Sequence, residues 1–203
     1  MRVALIDYRA GNLTSVKKAF AAVGADLFVP TDPADLQPAN AIVVPGVGHF
    51  GATAALTSAW VDGLRLAVEA GRPLLGICLG MQWLFDGSEE APGCPGLGLL
   101  PGQCYRLPSE SNGASVKIPH VGWNALDVRR NDSIVEGVTP GAQVYFTHSF
   151  VAPMTRDTVA VAEHGQPFAA IVQRGRVAGV QFHPEKSGEI GLRILENFLR
   201  LAQ

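Results

Sequence analysis

Cysteine is scarce in this chain, long apolar runs are missing, and charge of one sign does not accumulate. Only Cys78, Cys94 and Cys104 occur. Three thiols cannot all pair, and none stands in a CxxC or Cys/His spacing, which argues against a disulfide framework and a zinc site. No stretch approaches the about 18 uninterrupted apolar residues of a membrane span, and the start MRVALIDYR lacks the long apolar region of a leader. These absences lead us to expect a cytoplasmic, soluble protein in a reducing compartment. Sixteen Lys and Arg against 18 Asp and Glu leave a net charge of -2. The basic residues gather no further than Lys17-Lys18 and Arg129-Arg130, too little field to hold a nucleic acid. Internal repeats and low-complexity tracts are absent as well.

What remains is a chain of 203 residues, 47% of them hydrophobic, enough for one sizeable core and too short for two comfortable ones. The expectation is a single domain over residues 1–203. Short β-branched runs alternate with helical patterns in the first half: Val3 to Ile6, Thr14 to Val23, Leu27 to Val29, Ala41 to Val44, Ala52 to Ala70, and Leu74 to Ile77. Such alternation predicts an α/β fold with a parallel sheet and crossover helices. A Pro/Gly-rich loop from Ala91 to Gly102 then leads into extended segments at Gln103 to Leu107, Val144 to Phe150, Thr158 to Glu163, Ala169 to Gln173 and Val177 to Phe182, read as an antiparallel extension of the sheet. A helix from Gly188 to Leu201 closes the chain, with Ile190, Ile194, Leu195 and Phe198 on one face.

Three segments carry chemistry. In Leu74-Leu75-Gly76-Ile77-Cys78-Leu79-Gly80-Met81-Gln82 a buried strand runs through Gly-x-Cys-x-Gly into a helix, the thiol form of a nucleophile elbow. The glycines are expected to allow the strained turn, and the helix start favours a thiolate. The plainer reading is a small buried hydrophobe. Gly179-Val180-Gln181-Phe182-His183-Pro184-Glu185 offers a base and an acid to orient it. In an extended segment His183 and Glu185 project from one face; the alternative is a solvated strand end. Val43-Val44-Pro45-Gly46-Val47-Gly48-His49-Phe50-Gly51 is a glycine turn able to supply one backbone donor to an oxyanion, Leu79 supplying the other. A phosphate cradle is the rival there, without the signatures of a P-loop or a dinucleotide site.

Together GICLGMQ, HPE and PGVG resemble a class I, triad-type glutamine amidotransferase. IDYRAGNL, PGVGHFG, PHVGWN (Pro119 to Asn124), YFTHSF (Tyr145 to Phe150) and QFHPEKS (Gln181 to Ser187) narrow the resemblance to the glutaminase subunits of imidazole glycerol phosphate synthase, over nearly the whole chain. One departure is that Arg9 stands where that family usually has glycine.

The resemblance implies a flavodoxin-like mixed sheet flanked by helices. It assigns the catalytic triad to Cys78 as nucleophile, His183 as proton shuttle and Glu185 as its orienter, through a γ-glutamyl thioester. Val47 and Gly48 would lie on the oxyanion strand. Gln82 and Glu90 would hold the head group of the substrate glutamine, and Ser149 and Phe150 would form a backbone edge against it. Asn12, Trp123 and Lys186 fall in motifs at the interface with a (β/α)8 cyclase barrel, the partner in a heterodimer that receives the ammonia and makes imidazole glycerol phosphate and aminoimidazole carboxamide ribotide for histidine biosynthesis. No metal or organic cofactor is implied. The isolated subunit is expected to be nearly idle until a peptide in PGVG flips.

Rival readings differ in their motifs. The glutaminase of pyridoxal phosphate synthase carries a Pro-Gly-Gly-Glu-Ser turn, and the cysteine hydrolases or chaperones that share an elbow on a doubly wound sheet lack an HPE triplet. A binding subunit with a vestigial triad would not need all three residues. His49, His120, His148 and His164 are expected to be scaffold or surface, Cys94 and Cys104 structural, and Trp60 and Trp83 packing residues.

Overall fold

A computed structural model describes residues 1–203. In chain order the elements are β1 (Arg2–Leu5), α1 (Leu13–Ala22), β2 (Asp26–Phe28), β3 (Ala41–Gly46), α2 (Ser58–Glu69), β4 (Leu74–Cys78), α3 (Leu79–Trp83), β5 (Gly87–Ser88), β6 (Gln103–Arg106), β7 (Glu110–Ser111), β8 (Ala114–Ser115), β9 (His120–Ala125), β10 (Asp127–Val128), β11 (Gln143–His148), β12 (Phe150–Val151), β13 (Thr158–Glu163), β14 (Pro167–Arg174), β15 (Val177–Val180) and α4 (Gly188–Arg200).

Eight strands form the central sheet in the order β10-β13-β14-β15-β4-β3-β1-β2. The run from β15 to β2 is parallel and the other end antiparallel, an α/β fold with a mixed sheet. The parallel strands β3 and β4 are buried along their whole length, as expected where helices cover both faces. On one face Phe20 of α1 meets Phe198 of α4 edge to face at 6.4 Å, with Ile194 and Leu195 of α4 buried beside them. Each such side chain contributes about 2 kcal/mol on leaving water. On the other face Leu64 of α2, Trp83 of α3 and Phe50 pack on Ile42 and Val44. No helix is long and apolar enough to cross a membrane.

Three expectations are corrected here. The helical pattern from Ala52 to Ala70 breaks into a 3-10 turn at Phe50–Ala55 and then α2, because the turn must carry the chain round from the glycine segment. Gln103 to Leu107 and Val144 to Phe150 do not extend the central sheet. Instead β11 pairs with β9, and β6 pairs with both β12 and β5, in two small sheets of their own. The segment from Val177 stops being a strand at Val180; Gln181 keeps one backbone bond, its N–H to the Ala170 carbonyl of β14 at 2.9 Å, and Phe182 and His183 lead away from the sheet where the site begins.

Candidate active site

At the carboxyl ends of neighbouring strands, Gly46 of β3 stands in register with Cys78 of β4, and β15 on the other side of β4 leads to His183. The crevice beyond the carboxyl ends of parallel strands is where α/β sheets place their chemistry. Cys78 has φ 54 and ψ -109, a left-handed conformation that costs a non-glycine residue about 1–3 kcal/mol.

The strain sits on the cysteine itself. Gly76 and Gly80 serve close approach. A Cβ at Gly80 would lie 1.7 Å from the Val44 carbonyl oxygen, and one at Gly76 2.6 Å from that of Gly80. These contacts press α3 onto β3 and β4, and that packing holds the elbow in place.

His183 and Glu185 meet, but by a different route from the extended one. Pro184–Lys186 is a 3-10 turn with Pro184 at its first position, where a fixed φ and a missing N–H cost nothing. The turn swings Glu185 back so that its Oε1 lies 2.7 Å from His183 Nδ1, both side chains almost wholly buried. Strand β11 fixes the segment: His183 N–H donates to the Tyr145 carbonyl at 2.9 Å, Tyr145 N–H donates to Ser187 Oγ at 3.0 Å, and that hydroxyl donates to the His183 carbonyl at 2.6 Å.

Burial alone would lower the His183 pKa, but the neighbouring Cys78 and Glu185 outweigh it and hold the imidazole up at about 9. Its Nε2 and Glu185 Oε2 are buried without hydrogen-bond partners. An imidazole whose one nitrogen is fixed by a carboxylate and whose other is bare can exchange a proton with a thiol or a leaving amine.

Around this pair the expected oxyanion residues are close but not assembled. Leu79 is the first residue of α3, so its N–H has no acceptor within the helix. Val47 N–H is different. It donates to the Ala10 carbonyl at 3.0 Å and is unavailable to an oxyanion in this state. Gly48, exposed and at φ 95, and Gly46 flank it, so both adjoining peptides can turn without a Cβ penalty.

Of the four residues expected at a substrate head group, Gln82 is buried and donates from Nε2 to the Phe150 carbonyl at 2.8 Å and to Gln181 Oε1 at 3.1 Å. Glu90 accepts the Phe50 N–H at 2.6 Å, which ties it to the end of the glycine turn. The Ser149 carbonyl accepts from Leu107 N–H at 2.9 Å and that of Phe150 from Gln82 and His148. Both carbonyls of that edge are thus engaged within the protein.

Asn12 and Lys186 border a narrow cleft of about 20 Å³ with Gly46, Val47, His183 and Glu185. That is room for roughly one water-sized molecule. Trp123 stands 57% exposed, its ring 6.1 Å from that of Tyr145, over which the Lys186 ammonium sits at 5.6 Å. Of the three expected interface residues, Asn12 and Lys186 thus share one cleft, and Trp123 is linked to Lys186 through the ring of Tyr145. Residues the sequence reading passed over are Tyr8, whose buried hydroxyl has no partner, Ala10, and Gln181, which donates to Cys78 Sγ at 3.6 Å. Gln181 left one signal, a polar residue inside the apolar run GVQF.

Comparison with known proteins identifies the family. The family described as Glutamine amidotransferase class-I matches residues 4–202. Imidazole glycerol phosphate synthase subunit HisH of Deinococcus radiodurans is 45% identical, covering 98% of this chain and 93% of that protein. The subunit of the same name from Methanothermobacter thermautotrophicus is 41% identical, covering 98% of each. Among solved structures, a glutamine amidotransferase superposes with a TM-score of 0.75 at 22% identity over 98% of both chains, and PurLQS from Thermotoga maritima with 0.74 at 20% identity, likenesses of fold. The chain belongs to the class I glutamine amidotransferases, in the family of the HisH subunits of imidazole glycerol phosphate synthase.

Proposed function

We infer that this chain hydrolyses glutamine to glutamate and ammonia at Cys78, His183 and Glu185, and hands the ammonia to a cyclase subunit of (β/α)8 barrel form for the synthesis of imidazole glycerol phosphate and aminoimidazole carboxamide ribotide. The observation that carries the reading is the buried His183–Glu185 pair at 2.7 Å beside a cysteine held at positive φ. A merely structural cysteine has no need of either.

Cys78 Sγ attacks the side-chain carboxamide carbon, and the carbonyl oxygen becomes an oxyanion. His183, protonated and oriented by Glu185, delivers its proton from Nε2 to the departing nitrogen, and the C–N bond breaks to leave a thioester on Cys78. Neutral His183 then takes a proton from water, which attacks the thioester and releases glutamate and the thiol. Gln82, Glu90, Ser149 and Phe150 would border the head group.

Leu79 is the donor ready for the oxyanion. The second would come from the Gly46–Val47 peptide once its N–H leaves Ala10, and each such donor contributes about 10²–10³-fold in related chemistry. The resting chain is accordingly slow. Partner contact at Asn12 and Lys186, which line one cleft with Val47, and at Trp123 is the event that would turn the peptide. The cleft between Asn12 and Lys186 admits ammonia and excludes glutamine by size.

The test is ammonia release from glutamine by the chain alone and with a cyclase barrel plus its ribulosyl nucleotide. Turnover that needs the barrel and vanishes in Cys78→Ala supports the reading, and turnover unchanged in Cys78→Ala sinks it.

A further inference from the structure

The hydrogen bonds leading to the thiol form a line whose direction can be worked out donor by donor. On β9, Asn124 Oδ1 accepts the Ala125 N–H at 2.8 Å, so the amide nitrogen is the opposite end. That Nδ2 donates to the Glu163 carbonyl at 2.8 Å and has its second proton for His120 Nε2 at 3.3 Å. At the far end His148 Nδ1 lies 3.1 Å from the Phe150 carbonyl, which can only accept, so Nδ1 carries the ring proton and Nε2 is bare. His120 Nδ1, 3.1 Å from that Nε2, must then be the donor. This leaves His120 Nε2 bare to accept from Asn124, and the proton count closes with both rings neutral. Burial, with the charge of the neighbouring histidines, presses His120 down to about 4 and His148 to about 3.

The line continues past the carbonyl. Phe150 O takes a second bond from Gln82 Nε2 at 2.8 Å, and the other proton of that amide goes to Gln181 Oε1 at 3.1 Å. With its oxygen occupied, Gln181 must turn its NH2 the other way, and Nε2 lies 3.6 Å from Cys78 Sγ.

We propose that Gln181 is a further catalytic residue, its amide N–H holding negative charge on Cys78 Sγ, and that the chain Asn124–His120–His148–Phe150–Gln82 fixes that amide in its donating orientation. An N–H aimed at sulfur gains most when the sulfur is ionised. A flipped amide would present oxygen and repel the thiolate. The Thr147 carbonyl, 4.0 Å from Sγ, can accept only from the neutral thiol, so the amide is the polar group among these two that favours charge. The titratable groups bearing on Cys78 from other elements are His183, backed by Glu185, and the Tyr8 hydroxyl. Gln181 bonds to none of them.

The proposal rests on Cys78 being the nucleophile, and its test separates the two. Alkylation of the full chain by iodoacetamide is followed against pH, with the Cys78 peptide resolved by mass from those of Cys94 and Cys104. Gln181→Met keeps the length of the side chain and removes the donor. It is expected to raise the pH midpoint of alkylation and slow the reaction about tenfold at neutral pH. His148→Phe leaves Gln181 in place but unties the Phe150 carbonyl; a smaller shift in the same direction is expected, with recovery in His148→Gln. An unmoved midpoint in folded Gln181→Met overturns the proposal. If that variant does not fold, an unmoved midpoint in His148→Phe does so. Glutamine turnover that needs Cys78 together with unmoved midpoints removes only the role of Gln181, whereas turnover indifferent to Cys78→Ala removes the glutaminase reading itself.

Discussion

Two turns stand side by side at the ends of β4 and β3, and they are built in opposite ways. The elbow at Cys78 is clamped: its glycines leave room for backbone contacts that any side chain would destroy, and Cys78 between them carries positive φ. The turn from Pro45 to Gly48 has open space around Gly48 and one backbone bond, from Val47 to Ala10, holding its central peptide. A nucleophile must stay where it is, whereas a donor that should act only on demand needs an alternative position of similar energy. The contrast teaches that rigidity and convertibility can be assigned to adjacent strands of one sheet through glycines used for different reasons.

The comparison can be broken or sharpened by substitution, and the largest effect is expected at the triad. Glu185→Gln removes the carboxylate that helps hold His183 protonated, and turnover with the partner should fall by about 10²–10⁴-fold. His183 should titrate lower than the about 9 of the native protein. The sign follows from the shift. A folded pKa above the ordinary value of 6.5 means that the pair stabilises the fold fully below about 6.5 and loses that contribution as pH rises through about 9. An NMR titration of His183 that does not move in the variant would contradict this account.

Next is Gly80→Ala at the clamped turn. Its Cβ would meet the Val44 carbonyl at 1.7 Å, so the backbone must shift, and a loss of about 3 kcal/mol or more is expected in denaturant unfolding. Gly46→Ala in the convertible turn should cost less, about 1–3 kcal/mol, since its Cβ would meet the Tyr8 hydroxyl at 1.9 Å, the end of a side chain. Adding Tyr8→Phe should recover part of that loss; a double variant no more stable than Gly46→Ala would show that another contact sets the cost.

The smallest effect concerns Arg9, which has φ 63 at the position where the resembling family usually has glycine. Arg9→Gly relieves a left-handed conformation and is expected to gain under about 1 kcal/mol in stability. It lies beside Ala10, so any change in basal turnover of the isolated chain would show that strain in this loop reaches the Val47 bond.

Local signals carried most of what the sequence revealed. Gly-x-Cys-x-Gly at the end of an apolar run identifies an elbow because strand, turn and helix start all lie within nine residues of sequence, Leu74 to Gln82. The alternation of β1 to β4 with helices was legible for the same reason. Legibility failed where a segment's shape depends on partners distant in the chain. The sequence places His183 and Glu185 as strand neighbours, yet Pro184 begins a 3-10 turn that Ser187 and Tyr145 hold in place. The pairing of β11 with β9 instead of the central sheet leaves no mark in the alternation of either strand. Nothing in the sequence shows that a ring nitrogen of His120 lies 3.1 Å from one of His148, so neither histidine carries a chemical signal there.

The single bond between Val47 and Ala10 has a metabolic consequence. A backbone hydrogen bond contributes net about 0.5–1.5 kcal/mol, enough to keep most unaccompanied molecules from wasting cellular glutamine, yet small enough that one new contact from an arriving subunit could overturn it. On the proposed gating, the default state of such an enzyme is thrift, and its nitrogen would be released only when a consumer is in place.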